Sequence, residues 1–266
     1  MGTPKLQVIG GGKMGEALLA GLLTGGWATA AELRVVEKLP DRAEQLRAAF
    51  PGVTVAGEPD MAHGQVVAVK PGDVEAACRA LADTGSRAPV LSIAAGVTIR
   101  RLEAGLVPGT PVVRAMPNTP ALVGAGVAAV AAGRAADESD LAWAEEILGV
   151  VGSVVRVEEA LLDAVTGLSG SGPAYVFLVT EALIDGGVLA GLPRPVATTL
   201  AVQTLLGSAR LLDESPEGPA DLRAAVTSPG GTTAAGLRAL EAGGVRAAFL
   251  EAVMAATERS RELGRS

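Results

Sequence analysis

The feature that most constrains this chain is a short apolar strand that passes through a glycine-rich turn into a helix. Leu6 to Ile9 has the pattern of a buried strand, and leucines recur at helical spacing from Met14 to Leu23. Between them, Gly10-Gly11-Gly12-Lys13-Met14-Gly15 has the spacing G-x-G-x-x-G. A strand that turns this tightly into a helix is the start of an α/β unit.

The glycines of this turn have separate roles if the turn binds a dinucleotide. Gly10 permits the tight turn, Gly12 lets a pyrophosphate approach the backbone, and Gly15 lets the helix pack closely on the strand. The helix then presents free N–H groups and the positive end of its dipole to the phosphates. The turn therefore predicts a dinucleotide site, with a plain glycine-rich turn as the alternative.

Strand and helix patterns continue to alternate through the first half of the chain. Further strands are predicted at Leu33–Val36, Val53–Val55, Val66–Val69, Val90–Ile93, Pro111–Val113, Val123–Val130 and Ser153–Val157. Further helices are predicted at Asp41–Phe50, Val74–Leu81 and Asp137–Leu148. This order predicts a Rossmann-type, doubly wound parallel sheet over residues 1–159.

Strand patterns stop after about Glu159, and long helices are predicted in their place. Pro173–Leu189 is apolar almost all round, and Pro195–Leu212 and Val245–Leu263 follow as two more helices. A helix without a polar face must be buried on all sides, and a small domain has little interior to offer. We therefore predict an all-α domain over residues 160–266 that buries this helix against a second subunit.

Charge and cysteine content exclude several classes of protein. The net charge is −7, so no basic surface is expected that would bind nucleic acid. Cys78 is the single cysteine, which favours a reducing compartment, and the N-terminus lacks a signal-peptide pattern. The longest uncharged stretch, Ala115 to Gly133, contains prolines and glycines that suit a membrane helix poorly. A globular, cytoplasmic protein without a membrane span is expected.

Three charged residues after the second predicted strand bear on the choice of dinucleotide. Glu37 stands where an acid typically binds the ribose 2′-OH, which favours NADH. Lys38 and Arg42 lie beside it and could instead hold the 2′-phosphate of NADPH. All three could also be solvated surface charges. The sequence leans slightly towards NADH and leaves both cofactors open.

Two polar residues follow later strands, at the edge of the sheet where open α/β proteins bind ligands. Lys70, in Val69-Lys70-Pro71, either reaches the cofactor or is an exposed loop lysine. Asn118 lies in a loop held by Pro117 and Pro120, so its amide is expected to be fixed. That amide either donates to a ligand carbonyl or forms an Asx-turn.

Two glycine-rich segments in the second half resemble anion-binding turns. Ser228-Pro229-Gly230-Gly231-Thr232-Thr233 precedes a helical stretch to about Glu241, and Ser169 to Pro173 precedes the apolar helix. Consecutive small residues before a helix form a backbone nest that binds anions, and Thr232 and Thr233 add hydroxyl donors. Ordinary helix caps are the alternative in both places.

The second predicted domain contains neither lysine nor histidine, which bears on the chemistry. The lysines are Lys5, Lys13, Lys38 and Lys70, and the histidine is His63. Reduction of a ketone creates an alkoxide that needs a proton donor, whereas reduction of a protonated imine yields a neutral amine. The composition therefore favours a C=N substrate over a β-hydroxyacid dehydrogenase, which uses a lysine in its helical domain. A nicotinamide-binding protein without turnover is a further alternative.

Taken in order, these motifs resemble the pyrroline-5-carboxylate reductase family over essentially the whole length. The resemblance rests on Lys13–Ala17, Ala68–Pro71, Ser92–Val97, Arg114–Pro120, Gly170–Tyr175 and, most specifically, Leu222–Glu241. One departure is Gly72, where the family often has glutamine. The resemblance implies reduction of L-1-pyrroline-5-carboxylate to L-proline with NADPH or NADH, without a metal, in a homodimer that can assemble further.

The resemblance also assigns roles to individual residues. Substrate is expected at Ser228, Gly230, Gly231, Thr232 and Thr233, with Thr233 hydrogen-bonding the ring nitrogen or the carboxylate and assisting proton delivery. The cofactor is expected at Ile9, Gly10, Gly11, Gly12, Lys13, Met14, Gly15, Glu37, Lys38, Ala68, Val69, Lys70, Pro71, Ala94, Ala95, Gly96 and Asn118.

Overall fold

The computed structural model describes residues 2–265, and the chain divides into two compact units. Unit 1 takes the chain up to Ser171 and again from Ala255 onward, and unit 2 is Gly172–Met254. The predicted domain boundary at residues 159/160, where the strand patterns end, stays a prediction.

Unit 1 contains a sheet of eight strands in the order β3-β2-β1-β4-β5-β6-β7-β8. The strands are β1 (Leu6–Ile9), β2 (Leu33–Val36), β3 (Thr54–Ala56), β4 (Gln65–Val67), β5 (Val90–Ser92), β6 (Val112–Pro117), β7 (Gly126–Ala132) and β8 (Gly152–Arg156). All neighbouring strands are parallel except β6 and β7, which are antiparallel. The predicted Rossmann-type sheet is confirmed, and the antiparallel pair is an addition to it.

Helices cover both faces of this sheet, and their apolar side chains form the core together with those of the strands. They are α1 (Lys13–Thr24), α2 (Pro40–Ala49), α3 (Val74–Asp83), α4 (Ile99–Gly105), α5 (Glu138–Gly149) and α6 (Leu162–Val165). Leu18 and Leu22 of α1 belong to one buried cluster, and Cys78 and Leu81 of α3 belong to another. The central strands β1, β4 and β5 are completely buried because they are covered on both faces, whereas the edge strand β8 is partly exposed.

Some element predictions for unit 1 differ from the structure. Helix α4 was not predicted; it begins after Thr98, whose side chain accepts a hydrogen bond from the backbone N–H of Arg101. The β-like stretch predicted from Val123 begins only at Gly126, because a 3₁₀ turn over Thr119–Val123 ends in left-handed Gly124. Strand β4 ends at Val67, two residues earlier than predicted, so Ala68 to Lys70 form a loop.

The Ser169 to Pro173 segment is neither the nest nor the cap that the sequence suggested. Thr166–Gly170 is a π-helical turn that follows α6, and the Ser171 backbone N–H donates to the Thr166 carbonyl oxygen at 2.8 Å. Gly170 instead allows a close approach, since a Cβ there would lie 2.6 Å from the methyl carbon of Met116.

Unit 2 is helical, as predicted. Its helices are α7 (Gly172–Leu189), α8 (Arg194–Glu214), α9 (Pro219–Ala225), which was not predicted, α10 (Thr232–Ala242) and the start of α11 (Val245–Arg265). The later part of α11 belongs to unit 1, where the Ser260 hydroxyl donates to the Asp163 carboxylate at 2.6 Å. Within unit 2, Gly187 of α7 approaches Ala197 of α8, where a Cβ on the glycine would lie 3.1 Å from the alanine methyl.

Candidate active site

The glycine-rich turn between β1 and α1 has the geometry of a phosphate-binding turn. Gly10 has φ +103°, a conformation that glycine adopts without strain, and a Cβ there would lie 2.7 Å from the Ala68 carbonyl oxygen. A Cβ on Gly15 would collide with the Gly10 carbonyl oxygen, so α1 crosses β1 at a distance that only glycine permits. At Gly12, by contrast, an added Cβ would meet nothing within 4 Å.

The open space at Gly12 lies at the start of α1. Gly12 is the N-cap of α1, and in the part of the chain that the structure describes no side chain caps the backbone N–H groups of that helix start. The first N–H groups of a helix have no intrahelical partner, and together with the helix dipole they attract an anion. The residues present therefore fit the pyrophosphate of a dinucleotide, with Lys13, Met14 and Gly15 supplying backbone donors.

Two charged side chains hold this turn in place from the side of β2. The Glu37 carboxylate accepts from the Gly11 N–H at 3.1 Å and from the Leu39 N–H at 2.9 Å. Arg42 donates through Nε to the Gly11 carbonyl oxygen at 2.7 Å and forms an ion pair with Glu16. Gly11 is thus bound through both its N–H and its carbonyl group, so the turn is rigid before any ligand arrives.

The ends of β4 and β5 provide the next predicted residues. Ala68 and Val69 are half-buried, Lys70 is exposed, and Pro71 begins a 3₁₀ turn that leads into α3. After β5, Ala94 is buried while Ala95 faces solvent and Gly96 has φ +72°. Both loops lie at the carboxyl edge of the parallel strands, where this fold class binds its ligands.

A cavity of 540 Å³ opens beside these two loops within unit 1. It is lined by residues that include Pro71, Ala95, Gly96, Arg101, Arg259 and Leu263. The contribution of α11 to its wall was missed by the sequence, because a residue in the last turns of a long helix carries no local signal of its tertiary neighbours.

Asn118 is held by hydrogen bonds to residues far along the chain. Its amide oxygen accepts from the Val127 N–H at 2.9 Å, and its amide nitrogen donates to the Ser169 carbonyl oxygen at 3.2 Å. Because the acceptor bond comes from β7, the Asx-turn interpretation is wrong. Asn118 joins β7 to the π-helical turn, which leaves one N–H of its amide for a ligand.

In unit 2, the predicted substrate segment forms one compact turn before α10. Gly230 has φ +69°, and a Cβ on Gly231 would collide with the Ser228 hydroxyl oxygen. Gly231 is the N-cap of α10, and no side chain caps it. Thr232 and Thr233 are exposed in the first helical turn, so free N–H groups and two hydroxyl groups lie together at this helix start.

Comparison with known proteins identifies the chain. Residues 159–263 match the family model for pyrroline-5-carboxylate reductase dimerisation, and residues 5–96 match the model for coenzyme F420-dependent NADP oxidoreductases. A pyrroline-5-carboxylate reductase of Synechocystis is 47% identical over 267 residues, which cover 98% of each protein. The chain belongs to the pyrroline-5-carboxylate reductase family.

Solved structures of pyrroline-5-carboxylate reductases agree with the fold. The enzyme of Coxiella burnetii has a TM-score of 0.93 and 35% identity over the whole of both chains. The pyrroline carboxylate reductase of Plasmodium falciparum, which was crystallised with NADP bound, has a TM-score of 0.86 and 30% identity over 99% of this chain. As a family member, the chain is an oxidoreductase that uses a nicotinamide dinucleotide and forms a homo-oligomer.

The family's dimerisation model spans the helix that is exposed in the isolated chain. Phe177 and Leu178 of α7 are 64% and 66% exposed, and α7 contains no buried residue. By length and composition alone, the helix Glu159–Leu189 would qualify as a membrane span. The π-helical turn at Thr166–Gly170 interrupts the regular α-helical geometry of this stretch.

Proposed function

We propose that the chain reduces L-1-pyrroline-5-carboxylate to L-proline with hydride from NADH or NADPH, the last step of proline biosynthesis. The observation that carries this proposal is the pair of uncapped helix starts, at Gly12 in unit 1 and at Gly231 in unit 2. One suits the diphosphate of the cofactor and the other suits the carboxylate of a small substrate. Full-length relatives with this activity in their names support the assignment.

The chain's own residues bind and orient, and the nicotinamide ring supplies the hydride when it is bound. In unit 1, the N–H groups of Lys13, Met14 and Gly15 hold the pyrophosphate beside the open face of Gly12. Ala94 to Gly96 and Ala68 to Pro71 border the nicotinamide end, where Lys70 and Asn118 order the cofactor. Holding two reactants in one orientation provides most of the rate enhancement.

In unit 2, the turn before α10 holds the substrate. Its carboxylate accepts from backbone N–H groups around Gly230 and Gly231, with Ser228 and Thr232 nearby. The Thr233 hydroxyl hydrogen-bonds the ring nitrogen or the carboxylate and assists proton delivery. Hydride adds to the imine carbon of a ring that is already protonated, so the product nitrogen is neutral and no strong acid is needed.

We further propose that the active form is a homodimer in the cytoplasm, able to assemble further, without nucleic acid or membrane as partner. The exposed apolar surface of α7 lies within the stretch that matches the dimerisation model, which supports a second copy of this chain as its cover. The net charge of −7 disfavours both a nucleic acid and an anionic lipid surface.

A turnover assay tests the proposal directly. Purified protein is mixed with pyrroline-5-carboxylate and either reduced cofactor, and the near-ultraviolet absorbance of the nicotinamide is followed while proline is measured chemically. Substrate-dependent oxidation of cofactor with an equal yield of proline is expected. Turnover of a β-hydroxyacid with oxidised cofactor but none of the imine would instead assign the chain to the alternative dehydrogenase class.

A further inference from the structure

We propose that this chain prefers NADH to NADPH, and that Glu37 sets the preference while Glu16 keeps Arg42 from reversing it. The inference rests on the proposed function only in that a reduced nicotinamide dinucleotide is bound. The relative from Plasmodium falciparum has NADP bound. The preference of this chain therefore has to come from its own side chains around the end of β2.

Glu37 is fixed at the place where the two dinucleotides differ. In the parallel pair of β1 and β2, Ile9 lies opposite Val36, so Glu37 follows β2 directly beside the glycine turn. Its carboxylate is held by two backbone donors, Gly11 N–H at 3.1 Å and Leu39 N–H at 2.9 Å. An acid at this position accepts a hydrogen bond from a ribose 2′-OH. A 2′-phosphate would instead meet a fixed negative charge.

The cation best placed to offset that charge is already engaged. The Arg42 guanidinium donates to the Gly11 carbonyl oxygen at 2.7 Å and to Gln45 at 3.1 Å, and it is paired with Glu16. Its side chain is only 24% exposed, so moving it towards a phosphate would break contacts in a partly desolvated site. Arg42 therefore supports the glycine turn and is not free to bind a 2′-phosphate.

The start of α2 provides few groups that could bind a 2′-phosphate. Pro40 stands in its first turn and has no N–H to donate, and the Leu39 N–H is taken by Glu37. Asp41 adds a second negative charge in that turn. Lys38 is the nearby cation that remains, and it lies on the surface, where solvent and salt weaken its attraction. Lys38 and Asp41 are both exposed, so the Glu37 carboxylate, which is held by two backbone donors, is the charge that dominates around the ribose.

Binding to the free protein gives a test that does not depend on turnover. Dissociation constants for NADH and NADPH are measured by titration calorimetry without substrate, and kcat/KM is measured for each cofactor with pyrroline-5-carboxylate. We expect NADH to bind about tenfold or more tightly than NADPH, since like charges at contact distance repel by a kcal/mol or more. The same order is expected in kcat/KM.

Two substitutions separate the roles of the acids. Glu37→Gln keeps an acceptor for the Gly11 N–H but removes the charge, so the NADH preference should shrink by roughly tenfold. Glu16→Gln releases Arg42 from its ion pair, so NADPH affinity should rise while NADH affinity stays within about twofold. Glu44→Gln, at an exposed acid on α2, the helix that carries Arg42, is the matched control and should change neither constant.

Each outcome decides one claim. Equal affinities in the unchanged protein, or tighter NADPH binding, would overturn the inference, and so would a Glu37→Gln variant that keeps the full preference. An unchanged NADPH affinity in Glu16→Gln would remove Arg42 and Glu16 from the account. NADH binding with the expected preference but without turnover of pyrroline-5-carboxylate would refute the proposed function and leave this inference standing.

Discussion

Units 1 and 2 differ in where their large apolar side chains lie, which is in the interior of unit 1 and on the surface of unit 2. In unit 1, the large aliphatic residues of α1, α3 and α5 are almost completely buried in two clusters that cover the sheet. In unit 2, the buried hydrophobic residues are two alanines, Ala197 and Ala201, while Phe177, Leu178 and Leu189 are mostly exposed. Unit 1 has a core of its own, whereas unit 2 leaves most of its large apolar side chains exposed, which supports the proposal that a second chain covers them.

This difference shows which unit depends on assembly. A large apolar side chain that becomes buried stabilises a structure by about 1.5–3 kcal/mol, so several of them on α7 and α8 amount to a strong interface. Unit 1 loses little of its core if the subunits separate. Unit 2 would then expose a continuous apolar surface to water, which monomeric proteins rarely do.

The largest effect is expected from a charge on the apolar helix. Phe177→Lys would be harmless on a solvent-facing helix, but in an interface it buries an unpaired charge, which costs several kcal/mol. We expect loss of the oligomer and of activity, measured by light scattering and turnover. Met61→Lys in unit 1, at 49% exposure, is the matched control and should change neither. A Phe177→Lys protein that remained assembled would contradict the proposal that α7 lies in a subunit interface.

The next effect concerns the glycine turn of unit 1. Gly12→Val adds atoms where nothing lies within 4 Å, so the fold should survive while cofactor affinity falls about hundredfold or more through lost charge-assisted hydrogen bonds. Gly15→Val should instead unfold unit 1, because its Cβ collides with the Gly10 carbonyl oxygen. Circular dichroism and calorimetric titration distinguish the two. Unaltered cofactor binding in Gly12→Val would exclude the turn as the phosphate site.

A smaller effect is expected at the turn before α10 in unit 2. Thr233→Ala should lower kcat/KM roughly tenfold to hundredfold, the cost of one hydrogen bond to a neutral or charged partner. If the substrate iminium is its own acid, the alkaline limb of the pH–rate profile should persist unshifted in the variant. A profile that lost this limb would show that Thr233, and not the substrate iminium, is the essential acid, contrary to the proposed mechanism.

The last prediction concerns Cys78 in the core of unit 1. Burial, with a lesser contribution from Glu75, raises the pKa of its thiol from 9.0 to about 11. The folded state therefore favours the protonated thiol, and the stability this contributes is complete below pH 9 and declines as the pH rises towards 11. At pH 8 we expect alkylation roughly a hundredfold slower than in urea. The same slow rate in Phe177→Lys would show that unit 1 keeps its core without a partner.

The sequence predicts the features that depend on neighbouring residues. The sequence alone is enough to recognise the glycine turn, Glu37 and the turn before α10, because the elements on either side of them follow within a few positions. The apolar circumference of α7 likewise predicts a buried helix. Because unit 2 is small, the sequence also predicts that α7 is buried against a second subunit. In each of these cases the physical cause is local, so a single segment carries the whole signal.

Other features depend on partners that are distant in sequence. Asn118 is bound to Val127 and Ser169, which lie 9 and 51 residues away, and nothing in its loop points to either of them. The sequence also does not reveal that β6 and β7 pair antiparallel, because side chains alternate in the same way in both strand directions. The π-helical turn at Thr166–Gly170 was also misread, because small residues in a row suggest a loop.

The return of α11 to unit 1 has a consequence for the order of folding during translation. Ser260 binds Asp163 across 97 positions of the chain, and Leu263 lines the cavity beside Gly96. A ribosome therefore releases the whole of unit 2 before it has made the segment that completes unit 1. Nascent chains that stop before Ala255 should carry a formed sheet without the helix end that completes the cavity beside Gly96, so unit 1 can be completed only when synthesis is nearly finished.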